Sequence, residues 1–450
     1  MTRRFWVETL GCPKNQVDSD KLTGTLLADG MAPADDVADA DLVVVNTCAF
    51  IEEARTESVD TILGIDEQRR SDSELVVTGC MAERYGSELA EALPEVSAVA
   101  PFGVPVTLGS TRKSGVGSGT NGAATDSPNL LVSAELAVPS FDLLELPRLP
   151  VSGPWAYVKV AEGCDRACGF CAIPQFRGEQ RSRMMASILD EIQQLDVAEV
   201  VLVAQDLAAY GRDKRDGSQK GDRQIIPLVK KAAELVERVR LLYLYPSDLT
   251  DELIDTVCAT GVPYFDLSLQ HVSPPLMRAM RRWGSGAVFL DRIEAIRARE
   301  PGAAFRSNFI VGYPGETEAD HDALLDFVER AQLDWCGFFA YSEEAGTHGA
   351  TLDDKIAPAL TAERLAELRQ LQDQITVARR DDLIGSTVEV LVDRVGEGRS
   401  YREAPEIDGV ITVPDTLAVG STHQLVVSAA VGPDLVAQMP SNEISLPGEG

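Results

Sequence analysis

Short apolar runs recur along the chain, and each is followed by a stretch with helical spacing. In the first hundred residues the runs lie at 5–10, 41–45 and 74–78. They alternate little between apolar and polar, as strands do when both faces of a parallel sheet are covered. With helical stretches after each, residues 1–103 predict a small doubly wound α/β domain. The pattern then lapses over residues 104–154. That stretch contains STRKSGVGSGTNGAATDSP, rich in Gly, Ser and Thr, and predicts a linker or insertion.

From Trp155 the alternation resumes. Strands are predicted at 156–160, 200–204, 241–244, 265–269, 305–311 and 337–341, with helices such as 187–195 and 320–331 between them. Six βα units predict an open (βα)6 partial barrel over residues 155–380, although the pattern alone leaves an eight-unit form open. A long helix at about 361–380 ends this segment. Short strands at 387–393, 409–412 and 423–430 then predict a small β-barrel over residues 383–445.

Charge narrows the partners. The chain carries 41 Lys and Arg against 71 Asp and Glu, a net charge of −30. Such a field repels RNA unless a local basic groove exists, and it attracts a basic protein; plain solubility is the bland alternative. Residues 383–437 hold three arginines (Arg394, Arg399, Arg402), eight acidic residues and one aromatic, Tyr401. An RNA groove needs clustered cations and stacking rings, so no strong direct nucleic-acid binding is expected of this module. The N-terminus lacks an apolar segment of signal-peptide type, and no run reaches the roughly 18 apolar residues that span a bilayer. A soluble cytoplasmic protein, away from any membrane, is expected.

Six of the eight cysteines fall into two sets. Cys164, Cys168 and Cys171 are spaced C-x3-C-x2-C, just after the first barrel strand. Three thiolates on a tight loop can hold three corners of a cubane cluster and leave the fourth iron open to a small ligand. Structural zinc is the alternative, but it ordinarily takes four ligands, and no fourth Cys or His lies nearby in sequence. Cys12, Cys48 and Cys80 each follow a strand through a short turn and precede a helix. In a parallel sheet those turns share one edge, so the three sulfurs can converge as a second three-cysteine site. The alternative is three separately buried small residues. Asn15 and Asn46 could bond to cluster sulfurs or simply form turns. Cys258 and Cys336 read as packing residues.

The segments TLGCPKNQVDS, VVNTCAFI, VTGCMAE, AEGCDRACGFCAIPQFRGEQRSR, VAQDLAAYG, LSLQH, FIVGYPGETEAD and FAYSEEAGT together resemble the methylthiotransferase family of radical S-adenosylmethionine (SAM) enzymes. The resemblance covers nearly the whole chain. VAQDLAAYG and YREAPEIDG resemble the branch that modifies a ribosomal protein. The resemblance implies two [4Fe–4S] clusters, one on each cysteine set, together with SAM and a TRAM-like C-terminal module. It implies that a methylthio group is added to the β-carbon of an aspartate in ribosomal protein uS12, alone or on the small ribosomal subunit. A reductant protein of flavodoxin or ferredoxin type would supply the electron. It also implies that the N-terminal domain covers the barrel mouth, and that mouth residues hold SAM: Gln205, Gln270, Arg306, Asn308 and Gly312, each with ordinary strand-end bonding as its alternative. His271 reads as structural. Arg177, Arg181 and Arg183 could steer a carboxylate or form a solvated basic face. Two rivals share much of the pattern: a tRNA methylthiotransferase, and a non-catalytic iron–sulfur protein that docks on the ribosome.

Overall fold

In the computed structural model, residues 2–106, 142–148, 151–216 and 219–440 are described. The Gly/Ser-rich stretch at 110–128 lies outside them. The chain divides into two compact units, Met1–Arg148 and Leu149–Gly450.

The first unit is a five-stranded parallel sheet. Its strands are β1 (Arg4–Thr9), β2 (Ala32–Pro33), β3 (Leu42–Thr47), β4 (Glu74–Gly79) and β5 (Ala98–Ala100), in the order β2-β1-β3-β4-β5. Every residue of β3 is buried, as a central strand covered on both faces must be. Helices α1 (Pro13–Ala28), α2 (Glu52–Gln68) and α3 (Cys80–Ala92) follow β1, β3 and β4. The chain order reverses between β1 and β3, and doubly wound sheets bind ligands beyond the strand ends at such a reversal. Two short strands, β2 and β5, carried too little apolar pattern to be anticipated. The unit runs on to Arg148: Leu143 and Leu144 join its core, and Lys21 Nζ donates to the Leu144 carbonyl at 2.8 Å.

The second unit holds six parallel strands, Trp155–Lys159, Glu199–Val203, Arg238–Leu241, Tyr264–Gln270, Ala304–Val311 and Trp335–Ala340. The first three pair in one ladder and the last three in another; a single bridge between Leu244 and Leu267 joins them. This is the expected open six-unit barrel. One apolar core contains the outward side chains of its strands, including Val158, Leu202, Leu241, Leu267 and Phe309, and helix residues such as Ile192, Leu253, Ile293 and Phe327. Burial of each such side chain contributes about 1.5–3 kcal/mol. The third strand starts earlier than its expected range, 241–244. Arg238 and Arg240 are buried within it, and Tyr243, at φ 65°, breaks the ladder after Leu241.

Helix Pro358–Asp381 leads to a closed five-stranded barrel of Thr387–Arg394, Glu397–Arg399, Ile411–Thr412, Thr422–Val431 and Asp434–Gln438. This module packs against the N-terminal ends of the large barrel's strands. Tyr157 donates to the Pro405 carbonyl at 2.9 Å, Tyr264 to Asp408 at 2.6 Å, and Trp335 Nε1 to the Arg402 carbonyl at 2.7 Å. Arg399 reaches Glu199 at 3.2 Å, and Glu199 in turn takes Arg240 at 2.7 Å. The small barrel therefore forms the floor of the large one. No helix among the described residues is long and apolar enough to cross a membrane.

Candidate functional sites

The three N-terminal cysteines sit at equivalent places. Cys12 caps α1, Cys80 is the first residue of α3, and Cys48 follows β3. Two glycines bring the turns together. A Cβ on Gly11 would lie 2.7 Å from Cys48 Cβ and 2.9 Å from its Sγ, so the Cys12 turn rests on Cys48. A Cβ on Gly79 would lie 2.3 Å from Asn46 Oδ1; with φ at 89° only glycine fits there. Asn15, fully buried, ties all three turns: its Nδ2 donates to the carbonyls of Leu10 at 2.9 Å and Thr47 at 3.1 Å, and its Oδ1 accepts from Cys80 Sγ at 3.8 Å. Asn46 donates to the Asn15 carbonyl and to Ser19 Oγ, each at 2.9 Å, and so supports the hub.

The second set lies on the loop after Trp155–Lys159, at the C-terminal ends of the barrel strands. Gly163, at φ 77°, turns the chain under Glu179, and the Cys164 amide donates to the Gly178 carbonyl at 3.1 Å. Gly169 is bonded to Met280 and Gly349. Burial pushes the Cys164 thiol up to about 11 and the Cys171 thiol up to about 12. Facing charge from the neighbouring cysteines adds to this, so the loop favours neutral thiols until a cation compensates them. The Arg166 amide donates to Cys164 Sγ at 3.4 Å, and Arg282 Nη1 to Cys168 Sγ at 3.5 Å.

Among the described residues, no three His, Cys, Asp or Glu side chains gather closely enough to share one ion. Each set offers three thiols, the donor type an iron–sulfur cluster takes.

Three of the expected residues carry features that packing alone does not explain. Gln205 Nε2 donates to Glu162 Oε1 at 2.7 Å, while its own Oε1 is buried with no partner. Asn308 Oδ1 is likewise buried and unpartnered. Gln270 ends its strand at φ 74°, beside a register shift, a strained conformation typical of functional strand ends.

Two others are placed differently. Arg306 lies near the start of its strand, bonded to Asp266 at 3.3 Å and Asp408 at 3.4 Å, at the floor rather than the mouth. Gly312 has φ 81°, and a Cβ there would strike Thr361 Oγ1 at 2.4 Å, so helix packing alone accounts for it. Neither Arg177 nor Arg183 steers a ligand or forms a solvated face: Arg177 is buried against Glu162 at 3.0 Å, and Arg183 against Glu191 at 2.7 Å. His271 is fully buried and structural; its Nδ1 accepts from the Ser273 amide at 3.1 Å.

Sequence reasoning missed a polar group around Tyr245. Arg166 and Arg282 each lie over its ring, 3.8 Å and 3.9 Å from the centroid. Arg166 is also bonded to Asp206 at 2.6 Å and to Asp248. Only the arginine inside the cysteine motif and the Asp of VAQD offered a signal for it.

Residues 4–101 match Uncharacterized protein family UPF0004, residues 158–328 the Radical SAM superfamily and residues 384–439 the TRAM domain. The chain is 40% identical over 482 residues to the ribosomal protein uS12 methylthiotransferase RimO of Streptomyces coelicolor, covering 97% of both chains. It is also 40% identical over 474 residues to the RimO of Cutibacterium acnes, covering 96% of this chain and 97% of that one. Among solved structures, it superposes on the radical S-adenosylmethionine methyltransferase TsrM of Kitasatospora setae, bound to tryptophan and a SAM analog. The TM-score is 0.51 at 16% identity, over 75% of this chain and 73% of that one, a likeness of fold. Identity of this extent over almost the entire length means that the chain belongs to the RimO family of radical SAM methylthiotransferases.

Proposed function

We propose that this protein adds a methylthio group to the β-carbon of an aspartate in ribosomal protein uS12. The reading rests on two three-cysteine turns at the C-terminal ends of parallel strands, in a chain with near-full-length RimO relatives. Cys12, Cys48 and Cys80 would hold one [4Fe–4S] cluster, and Cys164, Cys168 and Cys171 a second. The clusters would supply an electron to cleave SAM and a site to carry the sulfur, chemistry suited to a C–H bond that no side-chain base can open.

The chain's own residues bind and orient. Burial pushes the Glu162 carboxyl up, but Arg177 and Lys159 outweigh that and hold it ionised well below the usual range. As a carboxylate it accepts the Gln205 amide N–H and turns the Gln205 carbonyl outward as an acceptor. Asn308 offers a second acceptor from the facing ladder, and Gln270 a third polar group. These three would contact SAM. The Gln205 and Asn308 side-chain oxygens are themselves shielded, which would keep competing water from a radical reaction.

Charge supports a basic protein substrate over RNA. Of the three arginines in residues 383–437, Arg399 is buried against Glu199 and Asp393, Arg402 lies 3.8 Å from Asp334, and Arg394 pairs with Glu397. That leaves this module no clustered cations for a phosphate backbone. The reaction would run in the reducing cytoplasm with a flavodoxin- or ferredoxin-type reductant.

The test is anaerobic incubation with SAM, reductant, uS12 and bulk tRNA. We expect release of 5′-deoxyadenosine and a mass gain of one methylthio group on uS12. Mass gain on tRNA nucleosides instead would support the tRNA-modifying rival, and absence of 5′-deoxyadenosine the non-catalytic one.

A further inference from the structure

Arg166 and Arg282 occupy opposite electrostatic situations although both stack on Tyr245. Arg166 is matched by two carboxylates, Asp206 and Asp248, and Asp248 is shared with Arg223. Among the described residues Arg282 has no carboxylate within ion-pair distance, and its Nε is buried without a hydrogen-bond partner. Arg282 is half-buried, and a shielded guanidinium left without a counter-ion is costly, so such a group is retained where something else supplies the negative charge.

The backbone holds Arg282 firmly. Its amide donates to the Met277 carbonyl at 2.8 Å, and the neighbouring Met280 carbonyl accepts from Gly169 at 2.7 Å, within the cysteine loop itself. Its Nη2 donates to the Ser268 carbonyl, which leaves Nη1 aimed at Cys168 Sγ, 3.5 Å away. Tyr245 closes the remaining face.

We propose that Arg282 is the counter-charge of the cluster on Cys164, Cys168 and Cys171, donating to the Cys168 thiolate and raising the reduction potential of that cluster. The inference rests on the functional reading above. A fixed positive charge stabilises the reduced, more negative cluster more than the oxidised one, and an N–H bond to the ligand sulfur draws electron density the same way. Arg282 is thus a positioning and tuning residue: it makes the first electron easier to deliver.

The test uses the full chain with Cys12, Cys48 and Cys80 replaced by Ala, so that one cluster remains. Its potential is read by spin-resonance-monitored titration with dithionite, alongside iron content. In that background, Arg282→Gln should shift the potential to a more negative value. Arg282→Lys, which keeps the charge but loses the fork that reaches Ser268 and Cys168 together, should shift it less. A loaded Arg282→Gln protein with the parent potential overturns the proposal. Should Arg282→Gln hold no iron, Arg282→Lys decides: a more negative potential supports the proposal, and an unchanged one overturns it. A parent that assembles no cluster would overturn the functional reading, and this inference with it.

Discussion

The two ends of the large barrel use similar residues and treat them oppositely. At the floor, buried carboxylates meet arginines: Glu199 with Arg240 and Arg399, Glu403 with Arg380, Asp408 with Arg306. Charges brought together from the large and small barrels neutralise one another there, although Arg380 keeps its Nε and Nη2 buried without a hydrogen-bond partner beside Glu403. At the mouth, Gln205 Oε1, Asp206 Oδ1, Asn308 Oδ1 and Arg282 Nε are buried without partners. Each unmet group costs about 1–3 kcal/mol in a folded protein, which natural chains tolerate chiefly where a ligand completes the set. The difference separates residues that hold the molecule together from residues held ready for chemistry.

Breaking one end at a time should separate stability from activity. The largest effect is expected from Cys168→Ala, which should abolish 5′-deoxyadenosine release while leaving the thermal midpoint of the metal-free protein nearly unchanged. Retained release would remove this loop from the chemistry. At the floor, Glu199→Ala leaves Arg240 buried without its carboxylate and Arg399 with Asp393 as its carboxylate partner, and should cost about 3–5 kcal/mol in denaturant unfolding. Turnover per folded molecule should persist, since Glu199 lies at the far end of the strands from the cysteine loop.

A third effect depends on pH. Burial pushes His271 down to about 4 from an ordinary 6.5. Between those values the unfolded chain binds a proton that the folded chain does not, so stability is full above pH 6.5 and falls as pH drops through the window. The loss reaches about 3 kcal/mol, taking 1.36 kcal/mol per pKa unit. Metal-free His271→Asn protein should show a flatter stability profile over that range; an unchanged slope would mean the ring is not kept neutral. The smallest effect is expected from Asn308→Leu, which removes an unpaired acceptor and should change stability by no more than about 1 kcal/mol. It should nevertheless weaken SAM cleavage, sharpening the assignment of the mouth to binding.

Much of this was legible in the chain itself. The continuous apolar runs announce the parallel strands, and the shared strand–turn–helix context of Cys12, Cys48 and Cys80 announces their equivalent places on one sheet edge. What escaped was polar and long-range. Arg238-Val-Arg-Leu241 reads as a half-exposed segment, yet the strand is buried because Glu199 and the small barrel supply partners that are distant in sequence. Arg306 looks like a mouth residue for the same reason, and only Asp408, about a hundred residues on, reveals it as part of the floor. YREAPEIDG, a family marker, is spent on docking the small barrel: its Pro405 carbonyl accepts from Tyr157 and its Asp408 from Tyr264. Asn15 was visible as a residue near a cysteine, but its grip on three separate turns needs the folded sheet.

The most direct test counts iron and its oxidation states in reconstituted protein by chemical assay and Mössbauer spectroscopy. Two cubanes require about eight irons per wild-type chain, and about four when Cys12, Cys48 and Cys80 are all replaced by Ala. Equal iron in the two proteins would contradict the claim that the three N-terminal turns form a cluster site.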